Sequence, residues 1–129
     1  MGFRHREYLN SSRVYGCSNC KTHITAYELL ISKEFNGQFG RAYLVEKAWN
    51  VDIMEPEERT MRTGTHTVCD IVCTHCNDYI GWKYIRAHTP SEKYKEGKYV
   101  LETDRIQQCL ARRQQAWQSL RQVSPSPND

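Results

Sequence analysis

Four cysteines arranged as two C-x-x-C pairs, Cys17-Ser18-Asn19-Cys20 and Cys73-Thr74-His75-Cys76, have the residue types and spacing to do chemistry. Two intervening residues let the backbone bend into a knuckle whose sulfurs face one point, and two knuckles supply a tetrahedral set of thiolates. Zinc has no d-electron preference for geometry and accepts four sulfurs at about 2.3 Å. One C-x-x-C alone could be a redox motif. Two pairs, separated by residues 21–72, read as the ligands of one structural Zn2+ ion that clamps distant parts of the chain together. His23 and His75 lie close enough to compete, but four thiolates suffice, so both are expected beside the metal rather than on it. Cys69 and Cys109 are left over, and an unpaired cysteine on a strand usually serves as a small buried hydrophobe. A nucleophilic Cys69 would need a low-pKa environment that residue order does not reveal.

Composition narrows the setting. A chain of 129 residues with 39% apolar, 11% aromatic and 26% charged side chains supports one modest core and is globular in character. The N-terminus reads Met-Gly-Phe-Arg-His-Arg, without the apolar stretch of a secretory signal, so a reducing compartment and metal-bound rather than disulfide-bonded cysteines are expected. Arg6 stands where a myristoylation motif needs Ser or Thr. No segment approaches the 18 or so apolar residues of a membrane span. The formal charge of +3 is small and dispersed, which argues against nucleic acid as the partner.

The metal ligands need elements to hold them. Residues 1–11 are polar and aperiodic and read as a flexible arm. Residues 13–17 read as a short strand running into the first knuckle, with Gly16 easing the turn. Residues 24–31 fit either a helical turn or a buried strand. Asn36-Gly37 and Gly40 mark a tight turn, after which residues 41–45 and 48–51 read as strands that could pair as a hairpin. The G-x-x-G form of Gly37-Gln38-Phe39-Gly40 resembles an RNA-clamping loop but lacks its central basic residues, so a hairpin turn is expected. Pro56 among Glu55, Glu57 and Glu58 predicts an acidic loop. Residues 64–72 then alternate as a strand with Val68 and Val72 on one face and Cys69 and Ile71 on the other, delivering Cys73 to the second knuckle.

Residues 79–85 form another expected strand, on which Trp82 and Tyr84 project to one side. Thr89-Pro90 opens a short helix that Gly97 ends, and residues 99–101 return to strand. From Asp104 to residue 123 the chain is rich in helix formers without Gly or Pro, and Ile106, Leu110, Trp117 and Leu120 fall on one stripe interrupted by Arg113; a helix is predicted. Residues 124–129 are Ser-Pro-rich and predict a disordered tail.

In this order and spacing, Cys17-x-x-Cys20-x-x-His23, Phe39-Gly40-Arg41-Ala42-Tyr43-Leu44, Gly64-Thr65-His66-Thr67-Val68, Cys73-x-x-Cys76, Gly81-Trp82-Lys83-Tyr84 and Lys93-Tyr94-Lys95-Glu96-Gly97-Lys98-Tyr99 resemble the Yippee-like proteins over residues 12–106. The resemblance implies a mainly β fold, a zinc-bound β-tent of two antiparallel sheets shared with the ligand-binding domain of cereblon and, more distantly, with methionine sulfoxide reductase B. Residues 107–123 would be a C-terminal helical extension. Cys17, Cys20, Cys73 and Cys76 would hold one zinc ion. Trp82 and Tyr84 match cage positions that in cereblon bind a cyclic imide, and His66 stands roughly where a further cage residue belongs, which implies an incomplete aromatic groove for a small molecule or peptide; the plainer alternative is core packing.

Function by resemblance is that of a non-enzymatic protein-interaction subunit or adaptor in a regulatory assembly, linked to the cell cycle and to ubiquitin ligases of the GID/CTLH type, in nucleus or cytoplasm. Two other classes stay open. One is a thiol-dependent reductase with Cys69 as nucleophile, although no Arg-x-Cys-x-Asn segment is present. The other is an RNA- or DNA-binding zinc domain.

Overall fold

A computed structural model describes residues 6–109; residues 1–5 and 110–129 lie outside that description. Nine strands occur among the described residues: β1 (Val14–Cys17), β2 (His23–Ala26), β3 (Leu30–Asn36), β4 (Arg41–Val45), β5 (Val51–Met61), β6 (Gly64–Cys73), β7 (Tyr79–Ala87), β8 (Tyr99–Glu102) and β9 (Ile106–Cys109). They make a small sheet of order β2-β1-β9 and a large sheet of order β3-β4-β8-β7-β6-β5. Every pairing is antiparallel, so the expected mainly β architecture of two antiparallel sheets is present. Short 3-10 turns occupy Tyr27–Leu29, Pro90–Lys95 and Thr103–Arg105.

Alternation along the strands gives the large sheet two apolar faces. On β4, Tyr43 and Val45 join one cluster while Ala42 and Leu44 join the other; on β8, Leu101 and Val100 divide the same way. The first cluster combines Ile71, Cys73, Ile80 and Leu101 of the large sheet with Tyr15, Cys17, Ile24 and Ile106 of the small one, so it is the layer between the sheets. Each fully buried Ile or Leu there contributes about 1.5–3 kcal/mol of transfer free energy. The second cluster holds Val68, Trp82, Tyr84 and Val100, flanked by Phe35 and Met61. Alternation along β6 puts Val68 on this face and Ile71 on the inner one, and the β6–β7 pairing shifts register between Thr67 and Val68 and between Ile71 and Val72. Gly81 lies where β7 crosses close to β8: a methyl group there would overlap the Val100 carbonyl.

Several expectations are corrected. Residues 48–51 do not pair with 41–45: β4 lies between β3 and β8, and the Trp49 N–H donates to Ile24 O at 2.7 Å, so this segment crosses toward the small sheet before Val51 opens β5. The acidic loop at Glu55–Glu58 is part of β5. Pro56, which has no N–H to give, sits opposite Cys69 on an edge strand just after a bulge, where a missing donor is tolerated. The helix expected from Asp104 is instead a 3-10 turn followed by β9, whose residues pair with β1 from Cys17↔Ile106 to Val14↔Cys109. Ladder pairing and burial of Ile106 outweigh local helix propensity here. The boundary placed between residues 106 and 107 therefore falls inside a strand; the rest of the expected helix, 110–123, and the tail, 124–129, lie outside the described residues.

Residues 24–31, ambiguous by pattern, resolve into the end of β2, a 3-10 turn and the start of β3. The arm is tied down at its inner end, since Glu7 N–H donates to Asn50 Oδ1 at 2.9 Å and Leu9 N–H to His23 Nδ1 at 3.1 Å. Residues 37–40 form the expected hairpin turn between β3 and β4.

Candidate functional site

β1 and β6 each end at a cysteine, and the two knuckles that follow are built alike. In the first, Cys17 N–H donates to Thr22 O at 2.8 Å and Lys21 N–H to Cys17 O at 2.7 Å; in the second, Cys73 N–H donates to Asp78 O and Asn77 N–H to Cys73 O, both at 2.8 Å. Lys21 and Asn77 take the same left-handed conformation, with φ of 64° and 67°. Backbone N–H groups of Asn19 and Cys20 face the Cys17 sulfur, and those of His75 and Cys76 face Cys73. Each knuckle is also held from outside: Ser18 N–H donates to Arg105 O at 3.0 Å, and Thr74 N–H to Asn50 O at 2.9 Å.

The four sulfurs of Cys17, Cys20, Cys73 and Cys76 all lie within 4.8 Å of one another, with Cys17–Cys76 and Cys20–Cys73 at 3.5 Å. A tetrahedron with bonds of about 2.3 Å requires sulfurs about 3.8 Å apart. Burial pushes the Cys17 thiol up to about 12 and raises Cys73 as well. Cys20 moves the other way: against its own burial, the Thr22 hydroxyl 3.0 Å from its sulfur and the Thr22 backbone bring it to about 7. Sulfurs at this spacing, wrapped in backbone N–H groups, fit a tetrathiolate-bound divalent ion. His23 faces the arm instead, accepting from Leu9 and meeting the Tyr8 ring edge-on at 5.5 Å. Asn50, with φ of 59°, binds both partners by donating to His23 O at 2.7 Å and to Glu7 O at 3.0 Å.

The opposite face of the large sheet carries a groove of about 500 Å3 whose floor includes Trp82 and Tyr84. Alternation brings these rings edge to face, with centroids 6.2 Å apart, and His66 lies 5.1 Å from Tyr84. The three residues implied by resemblance thus meet, but His66 is fully buried behind Tyr84 and does not line the groove. Its Nδ1–H donates to Gly64 O at 3.0 Å, and burial lowers its pKa below the ordinary 6.5. Trp82, only 3% exposed, is core and groove floor at once.

Two charged side chains organise the groove, and sequence reading assigned neither a role. Glu102, fully buried at the end of β8, accepts from Gln38 N–H at 2.8 Å, Phe39 N–H at 3.0 Å and Tyr79 Oη–H at 2.8 Å, pinning the β3–β4 turn that forms one wall. Gly37 makes room for that carboxylate, since a methyl group there would overlap Glu102 Oε1. Lys95, 3% exposed, donates to Glu92 Oε1 at 2.7 Å and Thr63 Oγ1 at 3.1 Å from the opposite wall. Nothing local in Val-Leu-Glu-Thr distinguishes Glu102; Lys95 lies in the Lys-Tyr-Lys-Glu-Gly-Lys-Tyr motif but looks like any surface lysine there. Of the spare cysteines, burial raises the thiol pKa of both Cys69 and Cys109, and Cys69 is 4% exposed on β6. A buried thiol held in its neutral form is a poor nucleophile.

A sequence profile described as Yippee zinc-binding/DNA-binding/Mis18, centromere assembly matches residues 13–119. A yippee-like protein of Arabidopsis thaliana is 47% identical over 94 residues, covering 73% of this chain and 89% of its own. Human yippee-like 4 is 46% identical over 98 residues, covering 75% and 77% respectively. Among solved structures, the Mis18 'Yippee-like' domain superposes with a TM-score of 0.62 at 16% identity over 75% of this chain and 94% of that one, a likeness of fold. With a matching profile over most of its length, relatives near half identical and paired knuckles that bring four cysteines together, the chain belongs to the Yippee-like family.

Proposed function

We propose that this protein is a non-enzymatic binding module in which Cys17, Cys20, Cys73 and Cys76 hold one structural zinc ion and the groove over Trp82 and Tyr84 receives a partner. The convergence of the four sulfurs within 4.8 Å carries the metal half of this reading. A bound zinc ion would neutralise the thiolates and cross-link β1 to β6. This chain's own residues then do the rest: the knuckle N–H groups stabilise the sulfurs, and the clamped sheets hold Glu102 and Lys95 against the groove walls. The burial of Cys69 removes the nucleophile on which a reductase would depend and supports the non-enzymatic reading.

The partner we propose is a protein, bound as a subunit or adaptor joins a regulatory assembly of the ubiquitin-ligase kind, in nucleus or cytoplasm. The family description also names DNA binding. Outside the groove, Lys93 and Lys98 each meet a carboxylate, which favours a protein surface over a phosphate backbone.

Elemental analysis of the purified chain should find one zinc per molecule. Capture from native cells should be repeated with Tyr94→Ala, because Tyr94 lines the groove yet is 55% exposed, so its loss should spare the fold. Loss of specific partners with zinc content and melting temperature unchanged supports the groove; an identical set of partners refutes it.

A further inference from the structure

The groove contains a box of aromatic rings that the chain has already filled. The Lys95 ammonium lies over the faces of Phe35, Tyr84 and Tyr94, at 5.3, 5.4 and 5.9 Å from their centroids. Three rings within about 6 Å of a cation, with a carboxylate beside them, make the arrangement by which proteins recognise methylated ammonium groups. Here Glu92 is that carboxylate, 2.7 Å from Lys95 Nζ, and Thr63 takes a second N–H. The rings and the acid come from separate parts of the chain: Phe35 from β3, Tyr84 from β7, Tyr94 and Glu92 from the 3-10 turn after it. A lysine reaching in from that same turn supplies the cation.

Two consequences follow for what the groove accepts. An incoming cation finds the ring faces and Glu92 occupied and meets a positive charge instead. Arg62 adds a further cationic side chain to the lining, with Glu34 as the acid opposite it, while Arg59 is held by Glu57 and Asp70 as Glu92 is by Lys95. The groove therefore presents apolar ring edges together with donors and positive charge.

Resting on the reading of this groove as a binding site, we propose that Lys95 determines its specificity: by acting as a built-in ligand of the Phe35–Tyr84–Tyr94 box, it excludes cationic groups and selects a partner side chain bearing an acidic or acceptor oxygen. The exclusion is a property of one side chain. Replacing Lys95 by an uncharged residue of similar length should leave an empty cage, with Glu92 unpaired, and reverse the preference.

The test follows the Trp82 indole and Tyr84 ring signals of the full chain by NMR during titration with two blocked dipeptides, Ac-Phe-Glu-NH2 and Ac-Phe-trimethyllysine-NH2. The unaltered protein should respond to the glutamate peptide and not to the trimethyllysine peptide. Lys95→Met should gain trimethyllysine binding by about tenfold or more, on the scale of a desolvated cation–aromatic contact, and adding Glu92→Gln should reduce that gain. Trimethyllysine binding by the unaltered protein overturns the proposal whether or not Lys95→Met folds. So does a folded Lys95→Met that gains nothing while the glutamate peptide still binds the unaltered chain; in that case the groove reading survives. No response to either peptide in either protein overturns the groove reading itself, and the specificity proposal with it.

Discussion

The two faces of the large sheet are held together by different physics. Toward the small sheet, two knuckles of nearly the same hydrogen-bond pattern converge their sulfurs on one point, and a single ion can tie strands that are far apart in sequence. Away from it, the groove is assembled from many modest contacts: ring pairs with centroids 5.1 and 6.2 Å apart, one carboxylate that holds a turn by two backbone N–H groups, and one lysine that links opposite walls. With an ion bound, the clamp would be all-or-none, while the groove should weaken in steps. The difference also separates metal binding from recognition, because the groove can be altered side chain by side chain without touching the cysteines.

The largest effect should come from breaking the clamp. Zinc affinity in small zinc domains is folding free energy, on the order of 10–16 kcal/mol. Cys73→Ala should lose zinc and aggregate, read by elemental analysis and circular dichroism; soluble, folded, zinc-free protein would show that the fold does not depend on a clamp. On the other face, Trp82→Ala should destabilise by about 3–5 kcal/mol while retaining zinc, because the ring is buried in the second apolar cluster. An unchanged melting temperature would mean that Trp82 belongs to the groove alone.

A third cut separates the small sheet from what lies beyond it. Deletion from residue 107 removes most of β9, which pairs with β1 beside Cys17, and should cost about 2–4 kcal/mol in ladder hydrogen bonds and packing. Deletion from residue 110 spares β9 and should leave zinc retention and melting intact. Equal behaviour of the two truncations would show that β9 adds nothing to the clamp. The expected start of the extension at residue 107 lies within β9.

Smaller changes sharpen the groove side. Glu102→Gln keeps the size of the side chain but cannot accept from Gln38, Phe39 and Tyr79 as a carboxylate does, and should cost about 1.5–3 kcal/mol. Its signature is faster amide exchange at Gln38 and Phe39 with zinc retained; unchanged exchange would deny Glu102 its hold on the turn. The smallest effect concerns pH. Burial holds His66 below its ordinary value of 6.5, so the folded chain favours neutral imidazole. That contribution is present above pH 6.5 and declines as pH falls below it, because the unfolded chain then takes up the proton first. Melting temperature measured from pH 7.5 to 5.5 should fall less steeply in His66→Phe than in the unaltered chain, and parallel curves would remove His66 from the pH response.

Residue order alone determined the two cysteine knuckles, because a C-x-x-C pair encodes its geometry locally: two intervening residues set the knuckle, and the fold then brings the two pairs together. Strands with period-two alternation, such as residues 64–72 and 79–85, were legible for the same reason, and so was the hairpin turn at residues 37–40. Tertiary structure alone decided the rest. Pro56 sits inside a strand because β5 is an edge, and Gln107 and Gln108 extend because β1 offers them a ladder. Lys95 and Glu102 matter through partners from β3, the β3–β4 turn, the β5–β6 turn and β7. A charged side chain carries no local mark of burial: its role is set by which distant groups surround it, and only the packed sheets decide that.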